Sequence, residues 1–424
     1  MVMIAGTLSL QACQTHQTAN ANVAASVVCD SENLEISCLL RSAEQSFLGL
    51  EDEAEWIVAA GEISAAFAAN GQSIAARDYV SRAQQKIDQL ESSDAKISAS
   101  AALAKDAVTA KLPDLAERLV TEGELAAANI ADNAKKYDLS GKLAVVRASI
   151  GQFDRALKTV RAFPETTSNH QAFKARSLRE IAVELAKAGK WTEADLVITE
   201  ISFGLTYYQS TVRSDIAHLA FSAGDFERAV RLLQEAEEIA RAQENGYFVA
   251  GALRDIGVAY VNADMRHKAM SLFTDAIAGA RRANSYQEKA RAMSRIATGM
   301  ADCGLYRDTQ SILQEAEQFA QKAKSDLFRQ FSYYEIAGSA AFSGQFSIAD
   351  RLVTDLPETQ FGSTSSLRAA ALRDIAWGFA KHGRNMEARK LVSSIKPARE
   401  RIMSISRIVR LMKNPKLEAF PRYL

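Results

Sequence analysis

Ser214-Asp215-Ile216-Ala217-His218-Leu219-Ala220-Phe221-Ser222-Ala223-Gly224-Asp225-Phe226-Glu227-Arg228-Ala229-Val230-Arg231-Leu232-Leu233-Gln234-Glu235-Ala236 is the stretch that decides the fold. Ile216, Ala217, Ala220 and Phe221 recur at helical spacing, so one face of a first helix is apolar. Gly224-Asp225 interrupts that helix, and Ala229, Leu232, Leu233 and Ala236 begin a second stripe. The stretch therefore reads as a helix, a tight turn and a helix. Glycine supplies the turn, and small residues let the two helices approach closely.

The pattern recurs nine times. Its alanine returns as Ala76, Ala116, Ala156, Ala194, Ala229, Ala269, Thr309, Ala349 and Ala388, in steps of 40, 40, 38, 35, 40, 40, 40 and 39 residues. Thirteen positions earlier stands an aliphatic marker, Ile63, Leu103, Leu143, Ile181, Ile216, Ile256, Ile296, Ile336 or Ile375. Eight positions beyond the marker the residue is Gly in seven of nine copies. A period near forty sustained over most of 424 residues excludes a division into ordinary globular domains and predicts an all-α solenoid. With 48% hydrophobic residues and six prolines, the composition agrees.

The residue just after each marker is small, twelve positions before the alanine: Ser64, Ala104, Ala144, Ala182, Ala217, Gly257, Ala297, Ala337 and Ala376. With turns such as Gly151-Gln152-Phe153, Gly189-Lys190-Trp191, Gly224-Asp225-Phe226 and Gly344-Gln345-Phe346, this resembles the tetratricopeptide repeat. The resemblance implies an α-α superhelix of about nine helix-turn-helix units, here with a C-terminal half-unit. The chain departs from that family in its period of 35 to 40 rather than 34 and in lacking most closing prolines. Second helices read as long after Ala76, Ala116, Ala229, Ala269 and Thr309. After Ala156, Ala194, Ala349 and Ala388 they are cut short by Pro164, Phe203-Gly204, Pro357 and Pro397.

The ends differ from the repeat and from each other. Residues 1–12 resemble a signal peptide, and Leu10-Gln11-Ala12-Cys13 resembles a bacterial lipobox, although no Lys or Arg precedes the apolar run. The resemblance implies lipidation at Cys13. Residues 13–28 read as a polar tether, and by the lipoprotein resemblance Gln14 after the cysteine implies an outer-membrane anchor facing the periplasm. Residues 29–58 are expected to form an N-terminal helical cap, 59–395 the repeats, and 396–424 a C-terminal capping helix and tail. Cys29 and Cys38 are a disulfide candidate for an oxidising compartment, with two reduced, packed cysteines as the alternative.

Net charge is zero, which gives no electrostatic reason to expect nucleic acid. Yet residues 30–62 hold nine acids against Arg41, while 396–422 hold eight bases against Glu400 and Glu418. Two solvated caps, or electrostatic docking of the ends with head-to-tail self-association, are the two readings.

No catalytic or metal pattern emerges. His16, His170, His218, His267 and His382 are scattered, and neither Gly141-Lys142 nor Gly189-Lys190 completes a phosphate loop. No cofactor, metal or enzymatic activity is expected. In the resembled family the first helices line a concave groove, two residues before and two after the marker. Arg179, Arg254, Tyr334, Arg373 and Trp377 are accordingly groove-binding candidates for protein or peptide ligands, through charge-assisted bonds to acidic or C-terminal carboxylates. Pairing of Arg179, Arg254 and Arg373 with acids of adjacent repeats is the alternative. Tyr207, Tyr208, Tyr247, Phe248, Phe328, Phe331 and Tyr333 are expected to fill the core between units. The function expected is a non-enzymatic interaction scaffold, membrane-tethered as a lipoprotein of an envelope, secretion or surface-assembly system. The alternatives are a soluble cytoplasmic adaptor or peptide-sensing regulator, and a polysaccharide-binding module.

Overall fold

The computed structural model describes residues 35–127, 129–202, 205–358, 360–361 and 365–414. These form twenty α-helices: α1 Ile36–Leu48, α2 Glu53–Ala69, α3 Ser73–Gln89, α4 Ser93–Thr109, α5 Pro113–Ala127, α6 Asn133–Ser149 and α7 Phe153–Arg161. There follow α8 Ser168–Lys187, α9 Trp191–Thr199, α10 Thr206–Ala223, α11 Phe226–Arg241, α12 Gly246–Asn262, α13 Arg266–Arg281 and α14 Tyr286–Asp302. The last six are α15 Tyr306–Gln321, α16 Asp326–Phe342, α17 Phe346–Thr354, α18 Leu367–Lys381, α19 Asn385–Ser394 and α20 Ala398–Lys413. A two-residue antiparallel pairing, Gln360–Phe361 with Ser365–Ser366, precedes α18.

The even-numbered helices carry the markers and form the inner layer; the odd-numbered ones form the outer layer. Every repeat alanine and Thr309 is fully buried, as are the small partners Ser64, Ala104, Ala144, Ala182, Ala217, Ala297, Ala337 and Ala376. At Gly257 a Cβ would stand 3.2 Å from the Phe273 ring, so that partner must stay small. Ser64 Oγ donates to the Ala76 carbonyl at 2.9 Å, a direct link between the two helices of one unit.

The turn position eight residues after each marker is left-handed in all nine units. Glycine occupies seven, at φ between 71° and 85°; Lys111 and Asp264 hold φ of 57° and 59°. The outer helices follow the proline pattern: α3, α5, α11, α13 and α15 run 15 to 17 residues, whereas α7, α9, α17 and α19 run 9 or 10. Exposed ion pairs tie successive outer elements, among them Arg77–Asp114 at 2.6 Å and Arg281–Glu315 at 2.8 Å. Exposure limits each such pair to about 1 kcal/mol or less.

The inner layer closes on itself. Each inner helix packs on the next from α2 to α20, and α20 packs back on α2. Helix α1 lies against α20 and α2 and supplies the outer helix of a tenth unit whose inner helix comes from the other end of the chain. Ile402, Ile405, Ile408 and Val409 of α20 are fully buried. Ser406 Oγ donates to the Glu62 carbonyl at 2.8 Å, and Arg401 Nε donates to Ser46 Oγ at 2.7 Å.

This closure corrects the expectation of two solvated caps. α1 and α20 each have an apolar face that a free end would leave in water, and each buries it on the other. The head-to-tail contact forms within one chain, the acidic start against the basic end, with Arg410 Nη2 3.9 Å from Glu62 Oε2.

Candidate functional site

Closing the ring turns its concave face into an axial cavity of about 350 Å³. Because each hairpin reverses the chain once outward and once back, the inner helices all run in one direction. The lining extends from Tyr207, in the first turn of α10, to Lys187 and Asp302, the last residues of α8 and α14. It therefore follows the inner helices along most of their length.

Midway lies a charged belt. Arg179, Arg254 and Ser294 stand two residues before their markers; Glu180, Asp215, Asp255, Arg295 and Glu335 stand one before. Beyond the belt come Lys105, Val145, Val183, Val258 and Thr298, all two residues after their markers, so a stripe of three valines between a lysine and a threonine adjoins the charges. Gly299 leaves the room that Arg254 needs, since a Cβ there would stand 2.9 Å from its Cγ.

Arg179 donates through Nε and Nη2 to Asp215 Oδ2, at 3.0 and 2.7 Å. Arg254 donates through the same atoms to Asp255 Oδ1, at 3.0 and 2.7 Å. Among the described residues neither Nη1 has a hydrogen-bond partner, so each fork keeps a donor for an acceptor entering the cavity. Burial opposes the charge of both guanidiniums, yet the facing carboxylates hold both above the ordinary arginine value. Arg295 goes the other way: burial lowers it, and Arg254 and Arg291 add to the lowering against Tyr247 and Glu335. Burial and Asp255 raise Tyr207, keeping its hydroxyl a neutral donor at the mouth.

The five groove candidates separate. Arg179 and Arg254 line the cavity, paired with an acid of the next unit and of their own unit respectively. Arg373, Tyr334 and Trp377 do not. Arg373 is buried, 2.7 Å from Glu400 Oε2 and 2.9 Å from Asp374 Oδ1. Its Nη2 donates to the Tyr334 hydroxyl at 3.3 Å, which donates to Asp374 Oδ2 at 3.2 Å, and Arg407 binds Asp374 Oδ1 at 2.9 Å. Trp377 stacks on Phe342 with centroids 5.1 Å apart. Arg373, and Tyr334 through it, belong to the cluster that meets α20, and Trp377 packs between α16 and α18 instead of lining the cavity.

The aromatic expectation also needs correction. Tyr207 lines the cavity and lies 5.5 Å from Phe248, while Phe248, Phe328 and Phe331 are exposed rather than packed in the core. Cys38 is buried and disulfide-bonded, and Cys29 and Cys13 lie outside the described residues. Burial pushes the Cys303 thiol up to about 12, which makes it unreactive at neutral pH. Among the described residues no cluster of three or more His, Cys, Asp or Glu could hold a metal ion, and no helix is long and apolar enough to cross a membrane.

Comparison with known proteins adds a partial match. Residues 182–362, under half of the chain, match the family model described as the Suppressor of spindle checkpoint defect 1 C-terminal domain. No curated protein sequence matches the chain. Solved structures with some similarity include Ton1535 from Thermococcus onnurineus NA1, 16% identical over 78% of this chain and 96% of that one, with a TM-score of 0.28. A Rap protein complexed with competence and sporulation factor is 14% identical over 89% and 100%, with a TM-score of 0.33. Aspartyl phosphate phosphatase F from Bacillus subtilis is 14% identical over 83% and 95%, with a TM-score of 0.31. At these scores nothing about ligands carries over.

Proposed function

We propose that the protein is a non-enzymatic binding module whose axial cavity receives a short extended peptide segment from another protein. The observation that carries this reading is the charged belt, in which arginines with a spare donor alternate with carboxylates beside a stripe of valines. A belt of both signs suits a backbone segment with its own termini or charged side chains, through charge-assisted bonds. The volume falls in the range of about 300 to 1,000 Å³ usual for ligand pockets, so it holds a few residues and excludes a folded domain. A partner protein would thus be held by a tail or loop.

The tether belongs to the same proposal. Leu10-Gln11-Ala12-Cys13 and the polar stretch after it support a lipid anchor at Cys13 on the periplasmic face of an outer membrane, placing the ring within reach of envelope proteins. Labelling with a palmitate analogue tests this part, and an unlabelled protein would remove the anchor while leaving the cavity reading intact.

The cavity reading is tested with labelled tri- to pentapeptides bearing free carboxylates, followed by fluorescence polarisation. Binding should weaken at least about tenfold in Arg254→Gln, the cost of about one charge-assisted bond. A panel without a binder, or binders indifferent to Arg254→Gln in a variant with unchanged circular dichroism, would overturn it.

A further inference from the structure

We infer that a notch beside the turn between α10 and α11, separate from the cavity residues, binds a basic side chain, arginine or lysine, of a partner. The notch measures about 380 Å³ and is walled by Phe221, Phe226, His218, Asn262 and Asp264. The two phenyl rings meet edge to face with centroids 5.9 Å apart. His218 Nδ1 and Asn262 Nδ2 lie 3.0 Å apart across the wall.

The other repeats identify the occupant. Five units place an aromatic residue first in the outer helix, ten positions after the marker: Phe153, Trp191, Phe226, Tyr306 and Phe346. In three of them the next unit lays a cation over the ring. Lys190 Nζ is 5.5 Å from the Phe153 centroid, Arg228 Cζ 5.5 Å from Trp191, and Arg384 Cζ 4.6 Å from Phe346. Tyr306 is met by His382, with ring centroids 5.3 Å apart.

Lys190 and Arg384 hold the same place, the residue immediately before the next outer helix. After Phe226 that place belongs to Met265. The residue that matches Arg228 in that unit's outer helix, Lys268, is committed elsewhere, 4.5 Å from the Tyr260 centroid and 3.3 Å from Glu237 Oε2. Phe226 is consequently 64% exposed, and among the described residues no cation covers it.

Asp264 on the rim supplies the complementary charge. It occupies the left-handed turn position at φ 59°, which aspartate tolerates better than most residues and where seven units carry glycine. An aromatic face with a carboxylate beside it is the arrangement that stabilises a desolvating cation. An apolar partner residue would leave Asp264 without compensation.

The test titrates the full chain with acetyl-Gly-Arg-Gly-amide and with its neutral citrulline counterpart, at pH 8 where an ordinary histidine is neutral. Binding is read by saturation-transfer NMR on the peptide. The arginine peptide should bind about three- to fivefold tighter than the citrulline one, the range of an exposed cation–π contact. Phe226→Ala should abolish the difference, and so should Met265→Lys, which gives this unit the cation its relatives already have. Equal affinity for the two peptides, or a preference that survives both substitutions, would overturn the inference. Arginine-selective binding lost in Arg254→Gln but not in Phe226→Ala would move the site to the axial cavity and equally defeat it.

Discussion

Arg254 and Arg373 occupy one position of the repeat, two residues before the aliphatic marker and one before an aspartate, and they do opposite work. Arg254 binds its own Asp255 and borders an open cavity. Arg373 binds Asp374, Glu400 and Tyr334 in a filled cluster. The difference comes from the following inner helix. Helix α14 sets Gly299 against Arg254 and, with Ser294, Thr298 and Arg295, lines a cavity that stays open; α20 presents Glu400 and Arg407 to the Arg373 pair. A repeat position thus fixes where a side chain starts, and its neighbour fixes whether that side chain binds a ligand or closes the ring.

The strongest way to break this comparison is to remove α20. A chain ending at Pro397 loses the buried face of Ile402, Ile405, Ile408 and Val409 and uncovers α1 and α2. The ring should open, with a larger radius of gyration by small-angle X-ray scattering and a broadened unfolding transition. An unchanged radius would mean that α20 does not hold the ring shut.

Next in size is the pair of arginines themselves. Arg373→Ala removes the guanidinium that bridges the buried Glu400 and Asp374 and should cost about 3 to 5 kcal/mol. Arg254→Ala, beside a cavity that can admit water, should cost about 1 to 3 kcal/mol. Urea denaturation measures both, and equal costs would erase the distinction between the two regions.

Much of the build was legible in the residues, for a local reason. Ala229, Ile216 and Gly224 act within one hairpin, so their spacing reports the contact they make, and Pro164 and Pro357 shorten α7 and α17 by chemistry that needs no neighbour. Closure was not legible in that way. It joins Ser406 to Glu62 and Arg401 to Ser46, and depends on curvature accumulated over every intervening unit. The visible trace was the acidic start and basic end, whose meeting within one chain no spacing could decide. Arg179 and Arg254 could be placed on the inner face, but Arg373, with the same sequence context, could not be separated from them without α20. The Phe226 notch carried a readable signal, an aromatic turn residue followed by Met265 where related units have Lys190 or Arg384.

A third, smaller effect sharpens the part of the comparison that both regions share. Ala229 belongs to a unit on the cavity side and Ala349 to one beside the closure, and both are fully buried. Ala229→Leu and Ala349→Leu should each overpack the hairpin by about 1 to 3 kcal/mol, since helix pairing within a unit is the same everywhere. A neutral outcome at either site, read by thermal denaturation, would show that the hairpin rule is not uniform around the ring.

The smallest expected effect is a change in how stability depends on pH at the seam. Asp106 of α4 is half-buried and lies so close to α2 that a Cβ on Gly61 would stand 2.0 Å from its Oδ2. Burial raises its pKa well above the ordinary value and Glu62 raises it further, against Arg410 and Lys105. A raised folded-state pKa means the folded chain binds a proton that the unfolded chain has released. The stabilisation is therefore complete below the ordinary aspartate value, about 3.9, and is lost as pH rises through the folded value. Asp106→Asn, which keeps the neutral shape without the titration, should flatten the fall of the urea midpoint with rising pH. Its midpoint should exceed that of the parent increasingly towards alkaline pH, while the two stay close in acid. Parallel curves for parent and variant would show that Asp106 does not titrate with folding, and that the seam is held by the apolar face of α20 and by Arg401 and Ser406 alone.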